Sequence, residues 1–146
     1  MACIVLCGCS SEEANESAFI NPGLYEIEFT LMHEAQQIIV KQRVRYNSDG
    51  SYTAITYNND IPIEELKGRY KVESGRLESY EKLRRLIGSD GTWTAWQEMP
   101  PSRVEVRNIK KERFQYYFEA PSEEIRKQYE KLGVSEGWKT YERMSG

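Results

Sequence analysis

The sequence predicts a mainly β domain in which about eight or nine antiparallel strands follow one another up and down, with one helix before the last strand. Apolar and polar residues alternate in successive segments, which is the period of half-buried strands. Turn-forming Gly, Asn, Asp and Ser separate these segments. Ten Tyr and three Trp also favour strands. With 146 residues, 39 % of them hydrophobic, the chain is long enough to bury the core of one domain.

Alternation over 25–31 and again over 38–46 predicts the first two strands. A turn at 34–37 joins them and places Ile27 opposite Val44. In that register two glutamates of the first strand lie opposite two arginines of the second on the solvent side. Pattern and charge therefore favour the same register.

A third strand is predicted over 52–58. It follows turn residues at 47–51, which include a glycine that can adopt a positive φ. Closing this loop sets Tyr46 opposite Tyr52. The second and third strands are therefore expected to form a hairpin.

The best-specified hairpin of the chain lies around residue 75. Residues 66–72 alternate again, and Ser74-Gly75 then forms a two-residue turn. This turn pairs Val72 with Leu77 and also brings opposite charges together across the two strands.

Residues 79–87 fit two interpretations, because their apolar spacing matches a helix while the preceding hairpin requires a strand. We favour a strand that kinks. A Gly-containing turn follows, and 92–99 then reads as a strand with Trp93 and Trp96 on opposite faces. Pro100-Pro101 ends it.

The C-terminal part predicts one more hairpin, a helix and a final strand. The hairpin consists of strands over 104–109 and 114–119. Ser122 is a suitable N-cap for a helix that ends before Gly133. A strand over 138–143 is expected to pair with an early strand, which would close the sheet and leave no exposed edge.

The first residues indicate processing rather than folding. An apolar run ends at Cys9, and a polar stretch rich in Ser, Glu and Asn follows it. Residues 6–9, Leu-Cys-Gly-Cys, resemble the bacterial lipobox, which implies that Cys9 carries a lipid. The chain then divides into a truncated lipoprotein signal segment with lipobox (1–9), a flexible linker (10–20) and the β domain (21–146).

Two features of this segment leave alternatives open. No Lys or Arg precedes the apolar run, and eight residues before the cysteine are too few for a whole signal peptide, so we expect translation to start further upstream. The three cysteines, all within the first nine residues, could also belong to a short exposed tail or to a metal site. Their spacing matches no common zinc pattern.

Several short motifs of the body resemble the lipocalin-like domains of bacterial lipoproteins. They are Gly23-Leu24-Tyr25, Ser48-Asp49-Gly50-Ser51-Tyr52, Gly68-Arg69-Tyr70-Lys71-Val72-Glu73 and Arg76-Leu77. The sequence departs from the lipocalin Gly-x-Trp signature in having Tyr25 at the Trp position, and a strand follows its main helix. The resemblance implies a calycin-like barrel with an interior able to hold a small apolar or amphiphilic ligand.

Aromatic residues at the inward positions are the candidate ligand contacts in such a barrel. The same residues could instead fill a small barrel as its core. They are Tyr25, Phe29, Tyr46, Tyr52, Tyr70, Trp93, Phe114, Tyr116 and Phe118.

Composition and side-chain chemistry argue against other classes of protein. The net charge is −3 and the two signs are interleaved, so a nucleic-acid partner is not expected. His33 beside Glu34 resembles a base with an orienting carboxylate, but no nucleophile accompanies it, so we expect no enzyme. We also predict no metal and no cofactor.

The sequence therefore supports two functions. The first is a lipoprotein of the cell envelope, on the outer membrane or cell surface, that binds a small apolar or amphiphilic ligand inside its barrel. The alternative is a non-catalytic interaction module of the envelope, such as an assembly factor or an enzyme inhibitor, with a filled interior. An exposed aromatic patch at Trp96 or Tyr117 would favour the alternative.

Overall fold

The computed structural model describes residues 19–144 of the chain, and within them it contains nine strands and one helix. The predicted lipid-attachment residue Cys9 and the signal segment lie outside the described residues. Ile20, which was assigned to the linker, is only 1 % exposed and packs in the core, so the folded part includes it. In chain order the elements are β1 (Gly23–His33), β2 (Gln36–Tyr46), β3 (Ser51–Asn58), β4 (Ile61–Glu73), β5 (Arg76–Leu86), β6 (Gln97–Met99), β7 (Ser102–Arg107), β8 (Arg113–Phe118), α1 (Glu123–Lys131) and β9 (Gly137–Arg143).

The strands form a closed barrel. Each of β1 to β4 pairs antiparallel with the next strand, β5 pairs with β7, and β7, β8 and β9 continue the wall. Pairing of β9 with β1 closes it. Eight described strands thus complete the barrel, and β6 is an extra strand on β5. The predicted mainly β, up-and-down fold with one helix before the last strand is confirmed.

The predicted register of the first hairpin is wrong by two residues. Ile27 lies opposite Gln42, and the glutamate at position 26 faces Arg43. The reason is the turn, which contains only Glu34 and Ala35, both with positive φ (49° and 66°). Such a two-residue turn matches the right-handed twist of paired strands better than the four-residue turn expected. Because the error is an even number of residues, the inward set of side chains is unchanged.

Two other predicted hairpins form in the expected registers. Tyr46 lies opposite Tyr52, and Val72 lies opposite Leu77 across the turn at Ser74-Gly75. Residues 79–87 extend the second strand of that hairpin rather than starting a helix, since β5 continues to Leu86. Its kink is a bulge, where the pairing with β4 shifts register and Glu81 adopts a φ of 51°.

The bulge brings the backbone of β5 close to Gly68 of β4. A Cβ atom on Gly68 would lie 2.9 Å from the carbonyl oxygen of Tyr80 and 3.2 Å from that of Glu81. Gly68→Ala is therefore expected to lower the free energy of unfolding by about 1–3 kcal/mol in urea denaturation, because backbone must move to admit the methyl group. Glu73→Ala, an exposed change on the same strand, should cost less than about 0.5 kcal/mol. Equal stability of the two variants would mean that the strands separate here without cost.

The segment expected as a strand over 92–99 is strand only at Gln97–Met99, so that prediction was largely wrong. Trp93 makes an isolated bridge with Ile87, and the residues between it and β6 form a loop. Pro100-Pro101 separates β6 from β7, as expected of residues that lack a backbone N–H.

The helix α1 begins and docks as its sequence predicts. The Ser122 hydroxyl accepts a hydrogen bond from the backbone N–H of Ile125 (3.2 Å), which caps the first turn. At the other end the Leu132 carbonyl accepts the backbone N–H of Met32 at 2.9 Å, which ties the helix to the end of β1. The Tyr129 ring lies 5.5 Å from that of Phe118, so the apolar face of α1 packs against the barrel.

The core fills the end of the barrel at which β1 begins and β2 ends, which we call the base. Tyr25 and Phe114 are fully buried there, with ring centroids 5.3 Å apart in an edge-to-face arrangement. Tyr46 packs edge-on against both rings, at 5.9 and 6.0 Å. The base is therefore a solid aromatic plug.

The join between β1 and β9, which we call the seam, is short. Its pairing consists of two residue pairs, Tyr25 with Arg143 and Glu26 with Glu142. Beyond them the two strands diverge, and a groove of about 790 Å³ runs along the outside between residues such as Thr30 and Trp138. Few backbone pairs therefore hold the wall along this line, as is also the case between β7 and β8.

Within residues 19–144, no helix combines the length and the apolar character needed to cross a bilayer.

Candidate ligand-binding site

The barrel encloses a space of about 240 Å³ above its aromatic plug, which we call the internal cavity. Apolar side chains form one part of its lining: Val44, Ala54, Leu66, Leu77 and Val104. Tyr46 and Tyr52 border it toward the base. Polar side chains complete the lining: Gln42, Ser79, Lys82, Ser102, Tyr116 and Tyr141. This mixture of apolar surface and a few converging polar groups is typical of small-molecule sites.

A continuous hydrogen-bonded chain crosses the polar side of the interior. The Tyr141 hydroxyl donates to Gln42 Oε1 at 2.5 Å, and Gln42 Nε2 donates to the Thr56 hydroxyl at 3.4 Å. Thr56 donates in turn to Glu64 Oε1 at 3.1 Å, and Arg84 Nε donates to Glu64 Oε2 at 2.5 Å. Thr56 and Arg84 thus both donate to the Glu64 carboxylate, and these hydrogen bonds stabilise its negative charge.

Lys82 enters the interior because of the bulge at Glu81. Strict alternation from Leu77 and Ser79 would point the side chain of residue 81 inward, but the extra residue shifts the inward position to Lys82. The ammonium group donates to the Ser102 hydroxyl at 3.1 Å. Partial burial lowers the pKa of Lys82, and the charge of Glu64 opposes that shift.

The phenols that face the internal cavity are neutral at physiological pH. Burial raises the pKa of Tyr116 to about 12 and that of Tyr141 well above its ordinary value. Burial likewise raises the pKa of Tyr46 and Tyr52. These hydroxyls can donate or accept hydrogen bonds, but they supply no negative charge.

A second, almost wholly apolar space of about 230 Å³ lies beneath α1. Phe29, Val40 and Phe118 form its barrel side, and Tyr129 and Leu132 form its helix side. Val40 and Gln42 are successive inward positions of β2, so the hydrogen-bonded amide of Gln42 lies at the level between the two spaces.

The structure distributes the nine predicted ligand contacts over several environments. Tyr46, Tyr52 and Tyr116 line the internal cavity, and Phe29 and Phe118 line the space beneath α1. Tyr25 and Phe114 belong to the plug, being 0 % exposed. Tyr70 packs edge-on against Tyr46 at 4.7 Å and donates its hydroxyl to the Asn47 carbonyl.

The predicted inward position of Trp93 is wrong. Its ring packs on Arg85, at 4.8 Å from the guanidinium carbon. Arg85 pairs with Glu65 across β4 and β5, and Glu65 points away from the cavity-lining neighbour Leu66. Trp93 therefore lies on the outer surface, held there by a cation–π contact.

Trp96 packs on the same arginine from a second direction, at 4.5 Å, and Lys67 lies 4.3 Å from its ring. Tyr117 and Trp138 pair edge-on at 5.4 Å on another outer face, where Arg107 covers the Trp138 ring at 3.9 Å. The outer aromatic rings considered as a docking patch are thus engaged by other side chains of this chain.

His33 lies at the end of β1 with its side chain 60 % exposed and its Nε2 4.0 Å from a carboxylate oxygen of Glu34. In the described part of the chain, no cluster of three or more His, Cys, Asp or Glu residues could hold a metal ion. The polar side chains that converge inside the barrel line the internal cavity, and His33 is not among them.

Sequence reasoning missed five polar residues of the cavity: Gln42, Ser79, Lys82, Ser102 and Tyr141. Gln42 stood in the alternating pattern of β2 between Val40 and Val44, so its inward position could have been found there. Tyr141 occupies an inward position of β9, opposite the buried Phe114. Lys82 had no signal in the sequence, because the bulge that turns it inward is a tertiary feature.

The fold and cavity define the class as a closed, eight-stranded antiparallel β-barrel with an amphiphilic interior. Comparisons of the chain with protein-family models, curated proteins and solved structures found no match.

Proposed function

We propose that this chain is a non-catalytic lipoprotein of the cell envelope whose barrel binds a small amphiphilic molecule. The observation that carries the binding function is the internal cavity itself, which combines apolar walls with converging hydroxyl, amide and ammonium groups. A core that served stability alone would gain from filling such a space with carbon, since closely packed interiors are more stable than hollow ones.

Envelope anchoring rests on the lipobox resemblance at Cys9. Lipid on that cysteine would place the folded part near a membrane surface, with the polar residues after Cys9 as a spacer. A ligand of membrane origin or a small envelope metabolite could then reach the barrel without crossing the cytoplasm.

Ligand binding is tested with the purified protein in two steps. Native mass spectrometry should detect a co-purified small molecule, and calorimetric titration with octan-1-ol should then show saturable binding to the emptied protein. Ala54→Leu, which adds carbon to the cavity wall, should weaken octan-1-ol binding by about ten-fold or more because it removes the space that the alkyl chain needs.

Ile55→Leu is the matched control, because residue 55 is the neighbouring position on β3 and points to the opposite face. Its affinity for octan-1-ol should equal that of the parent chain. Equal binding by Ala54→Leu would exclude the internal cavity as the site, and no binding by the parent chain would count against the proposed function.

Envelope anchoring is tested separately on the protein expressed from its chromosomal gene. The membrane-extracted protein should carry the mass of a lipid modification, and Cys9→Ser should abolish it and release the protein from the membrane fraction. A soluble protein with an unmodified cysteine at this position would refute the anchoring while leaving ligand binding open.

A further inference from the structure

The charge of the internal cavity is asymmetric. Of the described residues that line it, Lys82 is the one charged side chain. Its ammonium group is partly withdrawn from water and hydrogen-bonds to the hydroxyl of Ser102. The cavity therefore presents a net positive charge of one at its polar wall.

No carboxylate among the described residues neutralises this charge at contact distance. The carboxylate of Glu64 raises the pKa of Lys82 through its charge, but its two oxygens already accept from Arg84 and Thr56. No ion pair joins Lys82 to Glu64 within 4.0 Å, whereas Arg84 and Glu64 are 2.5 Å apart. The tyrosine hydroxyls of the cavity are neutral, because burial raises the pKa of Tyr116 and Tyr141.

A partly desolvated cation that contacts a neutral hydroxyl but no carboxylate is costly, since the charged form loses hydration and gains little in return. An anionic group in the cavity would remove that cost and form a charge-assisted hydrogen bond with the ammonium. The Ser102 hydroxyl accepts from the Lys82 ammonium, and its own proton can therefore be donated to the same anion.

The walls away from Lys82 suit an alkyl chain. Val44, Ala54, Leu66, Leu77 and Val104 line the cavity without polar side-chain atoms. A volume of about 240 Å³ is about eight times the roughly 30 Å³ that a water molecule occupies in the liquid. The space therefore suits a chain of about that number of heavy atoms and excludes a long fatty acid or a phospholipid.

We infer that Lys82 is the anion-binding residue of the internal cavity and that the ligand is a short alkyl carboxylate, with its head group on Lys82 and its chain against the apolar walls. This inference rests on the proposed ligand-binding function and deepens it. Carboxylate is the anion that matches a single ammonium and a neighbouring hydroxyl in so small a volume.

The test compares two probes of equal chain length, octanoate and octan-1-ol, by calorimetric titration at pH 7. The parent chain should bind octanoate about ten-fold or more tightly than octan-1-ol, because only the carboxylate gains a charge-assisted bond. Lys82→Met should remove this preference by weakening octanoate binding about ten-fold or more, while octan-1-ol binding changes less than about three-fold.

Two further variants separate the inference from general effects of charge and folding. Lys71→Met removes an exposed lysine of β4 and should leave the octanoate preference intact. Lys82→Arg keeps the positive charge and should retain part of the preference. Circular dichroism of each variant verifies that the barrel is folded before titration.

Two outcomes would refute the inference without refuting the proposed function. If the parent chain binds both probes equally, or if Lys82→Met keeps the preference for octanoate, the role of Lys82 is refuted while ligand binding stands. If the parent chain binds neither probe, both proposals fail.

Discussion

Phe114→Ala is expected to lower the free energy of unfolding by about 3–5 kcal/mol, the range for removing a large buried aromatic ring. Phe114 is 0 % exposed and contacts three rings of the plug. Its centroid lies 5.3 Å from that of Tyr25, 6.0 Å from that of Tyr46 and 5.2 Å from that of Tyr141. Truncation would leave a cavity that the closed wall cannot collapse to fill.

Urea denaturation followed by circular dichroism measures this loss. Phe19→Ala is the matched control, because it removes the same ring from a side chain that is 65 % exposed. The control should cost well under half as much as the core substitution. Similar losses in the two variants would contradict the assignment of the plug as the stabilising centre of the barrel.

Raising the pH from 10 toward 12 is expected to destabilise the protein by on the order of 2 kcal/mol for each of Tyr25 and Tyr116. Burial raises the pKa of Tyr25 and of Tyr116 from 10.0 to about 12. In this window the folded state keeps protons that the unfolded state has released. The stabilisation is therefore complete below pH 10 and is lost as the pH rises through the folded-state pKa.

Absorbance at 295 nm reports tyrosinate formation, and circular dichroism reports unfolding. The buried tyrosines should ionise together with the loss of structure. Tyr116→Phe supplies the control, since it removes one of the groups and should shift the alkaline midpoint upward. Ionisation of all ten tyrosines near pH 10 with the barrel still folded would contradict the burial described for these rings.

The sequence was informative wherever alternation and turn chemistry determine the same register. The turn at Ser74-Gly75 has a residue type that accepts positive φ, so the pairing of Val72 with Leu77 followed directly. Glu34 and Ala35 are not typical of such a turn, and for that reason the first hairpin was placed two residues away from its register. Local chemistry thus decided which registers could be predicted.

The candidate site was less predictable than the fold, because tertiary features place its polar groups. The inward aromatic positions followed from the period of two, as Tyr52 and Tyr116 illustrate. The inward position of Lys82 depends on a bulge. The outward position of Trp93, which lies outside any strand, depends on a cation–π contact with Arg85. Alternation alone cannot anticipate either event.

The two-pair join of β1 to β9 also has a kinetic consequence. The backbone amides of Glu28 and Thr30 face that side and have no partner strand there, whereas the β1–β2 ladder continues along the whole of β1. β7 and β8 are joined by equally few residue pairs, so we expect thermal fluctuations to open the barrel at one of these two short joins before its longer ladders. Opening between β1 and β9 would give a ligand a lateral route into the barrel, whose base is blocked by Tyr25 and Phe114.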